Sequence, residues 1–266
     1  MPPILQSALP FAPWVAPHLR RLPGIQPLEP GEWLLVDDAY GAQMAERARL
    51  IATRPEAVHA LAPEARPAAQ ELLEQVLQAL AARADFDLQP GHAIRPDGAR
   101  VDLDRDAPLF TLGQLVQEDF CLLQPGPEGH VLTGAILCFP ASWTLAEKFL
   151  RPLVAIHQPV PEYDAGISAR VQRLFDAIRP GQPLWRANVL AYADPALHHP
   201  RRESDPRTPA QAADFVRSEK QGLLRLPESG AVVFSIHTVV VRRESLTPDQ
   251  ARALAEMEAG QPREVG

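Results

Sequence analysis

The sequence predicts an α+β fold. Helix-period apolar faces occupy the first third and the C-terminal end, and strand-like runs joined by Pro/Gly turns lie between them as two hairpins. Helices at both ends around an antiparallel sheet define that class. The first 30 residues and the tail after Met257 read as fraying ends. Asp37 or Asp38 is placed to cap a helix over about 39–53. A second helix over about 64–83 carries Ala69, Leu72, Leu73, Val76, Leu77 and Leu80 on one face. Pro90-Gly91 and Pro96-Asp97-Gly98 then mark turns.

Residues 119–124 and 131–139 flank the turn 125–129 and read as a hairpin. Its second strand is apolar on both faces, so it is expected to be covered on both sides. Thr144 and Glu147 have the spacing of a capping box and open a short helix to about 150. A longer helix is predicted over 165–178, stopped by Pro180-Gly181. A strand over 184–192 and a polar loop over about 194–207 follow, and Thr208-Pro209 opens a short helix. Residues 222–226 and 231–241 form the second hairpin, and Thr247-Pro248 begins the last helix, with Leu254 and Met257 inward.

Composition removes several function classes. The chain has 266 residues and a net charge of −7, which argues against nucleic acid or an anionic membrane as the main partner. The N-terminus lacks a basic region followed by an apolar run, and no stretch is long and apolar enough to span a bilayer. A soluble cytoplasmic protein is therefore expected. Cys121 and Cys138 are the only cysteines, too few for a four-cysteine iron–sulfur cluster. The 29 prolines separate periodic segments and read as turn residues. Fingerprints for ATP, dinucleotides, catalytic zinc and a serine nucleophile are missing from the sequence.

The densest cluster of unusual residues runs from Gln117 to Pro161. His157 sits in IHQPVP, where a proline two residues on prevents helix continuation, so a rigid loop is expected to hold the imidazole. Such an imidazole suits axial ligation of a metal, and a hydrogen-bonded junction histidine is the plainer alternative. Glu118 and Asp119 begin a strand, so alternation predicts that at most one faces inward. A buried carboxylate needs a partner, such as a cationic amine; otherwise the pair is solvated edge charge. Trp143 and Trp185 stand near Lys148 and Arg186. That pattern reads either as an aromatic pocket with cations for acidic groups, or as ordinary core aromatics and solvated cations. His237 lies in an apolar strand and reads as a second axial candidate, a pocket donor, or a satisfied sheet histidine. Cys121 and Cys138 read as buried hydrophobes, with thiolate ligation kept open. The His198-His199 pair reads as loop.

Five ordered blocks add to this reading: QEDFCLL at 117–123, GAILCFPASW at 134–143, EK at 147–148, IHQPVPEY at 156–163 and RSEKQGLLRLPESGAVVFSI at 217–236. Together they resemble the α-subunit-like family of heme-dependent oxidative N-demethylases, from about residue 10 to 246. The resemblance implies a PAS-like heme-binding core over 101–246, a helical N-terminal extension over 1–100, and a C-terminal helix and tail over 247–266. It implies heme b, with its iron, as cofactor. It further implies a monooxygenase-type removal of a methyl group from a small secondary amine with O2, releasing formaldehyde. Electrons would come from NADPH through a separate flavin/iron–sulfur reductase subunit. On this reading His157 is the axial iron ligand, Lys148 and Arg186 meet the propionates, and Glu118 or Asp119 holds the ammonium beside Trp143. His237 remains the alternative ligand.

The chain departs from the family pattern at Lys220 and His237, where arginines are expected, and at Val189, where tryptophan is expected. These changes are expected near the pocket, where they bear on the substrate. A non-catalytic heme-binding sensor, or a heme-free module for small ligands, are the alternative functions.

Overall fold

The structure is a computed structural model that describes residues 2–20, 23–157, 165–205 and 213–260. It is an α+β arrangement built on a seven-stranded antiparallel sheet and a smaller three-stranded one. The N-terminal third supplies β1 (Gln26–Pro27), α1 (Tyr40–Thr53), α2 (Pro55–Val58), β2 (His59–Leu61) and α3 (Arg66–Ala81). It therefore contributes two edge strands as well as helices. The small sheet follows as β3 (Asp87–Gln89), β4 (His92–Ile94) and β5 (Arg100–Asp102), with its turns at the two predicted Pro/Gly sites. Next come α4 (Pro108–Leu115), β6 (Asp119–Gly126), β7 (Gly129–Ile136), α5 (Leu145–Lys148), α6 (Leu153–His157) and α7 (Ala165–Ala177). The chain closes with β8 (Leu184–Tyr192), β9 (Phe215–Arg225), β10 (Val232–Arg242) and α8 (Pro248–Gly260). Strand order in the large sheet is β1-β8-β9-β10-β6-β7-β2.

Local chemistry explains most of these elements. In α3 every residue of the predicted apolar face is buried against the sheet. The β6–β7 turn is tighter than expected: Gly126 pairs with Gly129, leaving only Pro127-Glu128 as loop. Gly129 has φ +103°, a conformation open to glycine and strained for other residues. Thr247 and Gln250 form a reciprocal capping box on α8. Thr144 behaves differently from the prediction. Its hydroxyl donates to the Glu147 carboxylate (2.6 Å) and caps no backbone N–H of α5.

The N-terminal segment is docked, contrary to the expected fraying. Leu9, Trp14 and Leu28 are buried, and Gln6 pairs with Val240 through both its backbone N–H and its side chain. Leu9 and Trp14 pack with α8 and strands β8–β10 in one apolar cluster. The helix predicted at Thr208 lies outside the described residues.

Both faces of the large sheet are covered. One meets α1, α3 and α4 through Leu72, Leu112, Phe120 and Val233. The other meets α5, α6 and α7 through Leu123, Leu132, Leu223 and Phe175. This overturns the expectation for Glu118 and Asp119, which are both about 1% exposed. In a sheet buried on two sides, alternation decides which layer a side chain joins, not whether it meets water. Glu118 moreover precedes β6, so strand alternation does not govern it.

Asp119 is held by Arg47 of α1 at 2.6 Å, with both side chains essentially out of water. It also accepts the backbone N–H groups of Cys138 (2.7 Å) and Phe139 (2.8 Å), just past the end of β7. Arg47 in turn donates to the carbonyls of Gly113, Gln117 and Glu118. Removing one partner strands a buried charge. Asp119→Ala is therefore expected to cost about 3–5 kcal/mol of unfolding free energy. Denaturant titration checks this, and a loss below about 1 kcal/mol, the level of an exposed pair, contradicts it.

Candidate functional site

A cavity of about 670 Å³ lies between the sheet and the α5–α6–α7 layer. Strand alternation builds its floor. Arg186 and Asn188 of β8, Glu219 and Gln221 of β9, Phe234 and Ile236 of β10, and Cys121 of β6 all point into it. Trp143, Lys148, Ile156, Val171 and Leu174 form walls, and Arg201, Arg202 and Glu203 border it from the loop after β8. The lining is mostly apolar, and a compact polar set lies on the floor.

That polar set is hydrogen-bonded at every group but one. Glu219, about 5% exposed, accepts from Asn188 Nδ2 (2.9 Å) and Gln221 Nε2 (3.0 Å) on Oε2. Its Oε1 faces Arg217 Nε and Nη2 at 3.3 Å. Asn188 Oδ1 accepts the Glu219 backbone N–H, so the register of β8 on β9 fixes this group. Arg186 Nη1 donates to Gln221 Oε1 (3.0 Å), and its Nε is buried without a partner among the described residues. Burial holds the Arg186 pKa below the ordinary value, against the opposing charge of Glu219.

The structure separates the sequence-predicted residues into two groups. Trp143, Lys148 and Arg186 line the cavity. Lys148 is nearly buried and donates to the Ile156 carbonyl (2.8 Å) and to the Glu203 carboxylate. Its charge is thus already matched within the protein. His157 closes α6 as its last residue, in a helix where a loop was expected, and its side chain lies outside the described residues.

Glu118, Asp119 and His237 are absent from the cavity lining. His237 shares a strand face with Val233, Ser235 and Val239, and that face looks away from the cavity. Its Nδ1 donates to Glu118 Oε1 and its Nε2 to Asp37 Oδ2, each at 3.0 Å. Both ring nitrogens are occupied, which removes His237 as an axial ligand or pocket donor. Glu118 Oε1 also accepts the Leu35 N–H (2.8 Å), away from the cavity, while its buried Oε2 has no partner among the described residues.

The three departures from the family pattern fall on this same reverse face. Val189 packs with Leu9 and Trp14. Lys220 donates to the Glu32 carbonyl (2.7 Å) and stands 4.7 Å from the Trp185 ring. Trp185, expected at the pocket, contacts Phe11 instead. Val189 and Lys220 therefore meet the N-terminal segment and not the cavity.

The cysteines also divide between faces. Cys121 lines the cavity, and Cys138 lies in the opposite core. Burial pushes the Cys121 thiol well up and the Cys138 thiol up to about 12. Burial thus favours the protonated form of both thiols.

Sequence reasoning missed Glu219, Asn188 and Gln221. A signal was present: in RSEKQ, Arg217, Glu219 and Gln221 alternate at the strand period, and the R-x-N at 186–188 has the same spacing. Read as a strand, the run puts three polar groups on one face.

The geometry defines an α+β protein with a mostly apolar cavity and a fixed carboxylate on its floor. Residues 24–265 match the family described as Haem-dependent oxidative N-demethylase, alpha subunit-like, and the chain belongs to that family. The family's name ties it to heme, and the cavity fits such a group. Its volume lies within the range of about 300–1,000 Å³ usual for ligand pockets. Its walls are apolar, and the unpartnered Arg186 Nε suits a carboxylate. Among the described residues no cluster of three or more His, Cys, Asp or Glu is arranged for a metal ion; a heme iron needs only axial donors.

The His237 site yields a pH prediction. Burial alone would lower its pKa, but the hydrogen bonds and charges of Asp37 and Glu118 raise it to about 9 from an ordinary value of 6.5. The folded state thus binds a proton more tightly than the unfolded one. Its stabilising contribution is full below about pH 6.5 and is lost as pH rises through about 9. His237→Gln should flatten that alkaline decline in unfolding free energy. An unchanged slope would show that His237 is not the titrating group.

Proposed function

We propose that this chain is a heme-binding catalytic subunit that removes an N-methyl group from a small amine. One observation carries the reading: a buried carboxylate, Glu219, is fixed by Asn188 and Gln221 on the floor of a mostly apolar cavity in a chain of this family. Glu219 takes the role first given to Glu118 or Asp119, because it lines the cavity floor and they do not. The antiparallel sheet with α5–α7 packed across one face supports a PAS-like core, with residues 1–100 as an extension and 247–266 as a closing helix and tail.

In the overall reaction the N–CH3 carbon is oxidised. One O2, two electrons and two protons are consumed per methyl group, and the products are the demethylated amine, formaldehyde and water. Heme b, when bound, supplies the redox-active iron for oxygen chemistry. This chain holds and orients the amine. Glu219 pairs with the ammonium, and Asn188 and Gln221 keep the carboxylate in place. Trp143 offers an aromatic face to the cation. Leu174, Ile156 and Phe234 exclude water. His157 directly follows the cavity-lining Ile156 and would hold the heme iron. Arg186 and the bordering Arg201 and Arg202 are the cations available to acidic groups. Lys148 acts at the wall, through Ile156 and Glu203.

Electrons are expected from a separate flavin/iron–sulfur subunit. Heme-reconstituted protein should show a Soret band and stay ferric with NADPH alone. It should turn over a methylated amine only when such a reductase is added, with formaldehyde as the readout. Direct reduction by NADPH contradicts the division of labour, and failure to take up heme removes the whole reading.

Two variants test the residues. His157→Ala should lose heme or shift its spin state while the fold survives by circular dichroism; an unchanged Soret band rules out the axial assignment. Glu219→Gln should weaken methylated-amine binding by roughly 1.5–3 kcal/mol, the range of a hydrogen bond to a charged group. Amine-induced changes in the heme spectrum measure this, and equal affinity in wild type and variant would take Glu219 out of the site.

A further inference from the structure

The charges on the cavity floor do not suit a bare cation. Arg186 and Arg217 stand around a single carboxylate, Glu219. Arg217 is spoken for: it donates to the carbonyls of Leu197 and Phe139 as well as to Glu219. Arg186 is not. It gives one hydrogen bond, to the neutral side chain of Gln221, and its buried Nε has no partner among the described residues. A guanidinium presents five donors in a planar fork suited to a carboxylate. Burying it without an anion is costly, and burial indeed disfavours its charged form here. Adding a dialkylammonium beside it would raise the floor's net charge further.

We propose that the ligand brings its own carboxylate: the cavity selects an N-methylated amino acid over a simple alkylamine. The ligand carboxylate pairs with Arg186, and its methylated ammonium lies against Glu219. This rests on the demethylase reading above and narrows its substrate class. The sheet register supplies the spacing. Arg186 stands opposite Gln221, and Asn188 opposite Glu219, so Arg186 and Glu219 are diagonal neighbours across β8 and β9. Diagonal positions lie about 7–8 Å apart at the backbone, a span that two long side chains close around a small zwitterion. Gln221 joins them, accepting from Arg186 and donating to Glu219, so both ends are oriented by one amide. A bare amine brings nothing for Arg186 Nε.

A second source of carboxylate is a heme propionate, and the test separates the two. Heme-loaded wild type, Arg186→Gln and Arg186→Lys are titrated with N-methylglycine, N,N-dimethylglycine and dimethylamine. Calorimetry and the heme spectrum are the readouts, and heme retention is measured in parallel. Wild type is expected to bind an N-methylated glycine at least about tenfold more tightly than dimethylamine, as for a charge-assisted pair. Arg186→Gln should erase that preference and leave dimethylamine affinity within about twofold, and Arg186→Lys should restore part of it. Equal binding of both ligand types by wild type overturns the inference and leaves the demethylase reading intact. So does a loss of heme affinity in Arg186→Gln with the ligand preference unchanged, which assigns Arg186 to a propionate. If heme-loaded wild type binds none of the three amines, the demethylase reading fails, and this inference with it.

Discussion

Arg47 and Asp119 meet at 2.6 Å with almost no contact with water, and much of the backbone around them is organised to make that possible. A buried ion pair is tolerated only when its remaining donors and acceptors are met. Arg47 therefore collects carbonyls from the end of α4 and from the segment leading into β6. Asp119 collects the two N–H groups that follow β7. One pair thus joins α1, α4, β6 and the exit of β7. The position of α1 on the sheet and the direction in which the chain leaves β7 toward Trp143 both follow from it. The cavity wall is downstream of that direction.

With the sheet pinned from one side, its two faces take different work. In β9 the neighbours Glu219 and Lys220 have opposite fates. Glu219 faces the cavity, and Lys220 faces the docked N-terminal segment through Glu32 and Trp185. In β8, Asn188 and Val189 divide the same way. The polar network on the reverse face, with His237 between Asp37 and Glu118, is as dense as the one in the cavity, but every ligand in it is protein. Each cluster keeps one buried atom without a partner among the described residues, Glu118 Oε2 in the first and Arg186 Nε in the second. Of these two residues only Arg186 lines the cavity.

The sequence made the fold class, α3, β8 and both hairpins legible, because period and turn chemistry are local. It hid α4, whose PLFTLGQL is apolar nearly throughout and so lacks the polar contrast that reveals a helix period. It also hid the first half of β9, where the charged RSEKQ run reads as solvent-facing although most of it is buried. The site was half legible. Trp143, Lys148 and Arg186 reach the cavity, and Glu118, Asp119 and His237 do not. The misplacements share a cause: the partners that claim these residues are far away in the chain. Arg47 lies 72 residues from Asp119, and Asp37 lies 200 from His237. No local pattern announces such pairings.

Lys148 shows how placement and role can part. It reaches the cavity as expected, but its ammonium is spent on the Ile156 carbonyl and the Glu203 carboxylate. Ile156 is the residue before His157, and Glu203 belongs to the loop that borders the cavity on the far side. Glu147, next to Lys148, accepts the backbone N–H of Glu203 and so fixes that loop a second time. Burying an ammonium is costly unless its hydrogen-bond partners stay close. The α6 end and the 201–205 loop are therefore held to α5 together, and a shift of either one exposes or strands the ammonium. The residue reached through Ile156 is His157, which would hold the iron, and the residues reached through Glu203 border the cavity. Lys148 is thus placed to set the distance between these two sides, a positioning role that depends on its being saturated within the protein and not on any contact with a cofactor.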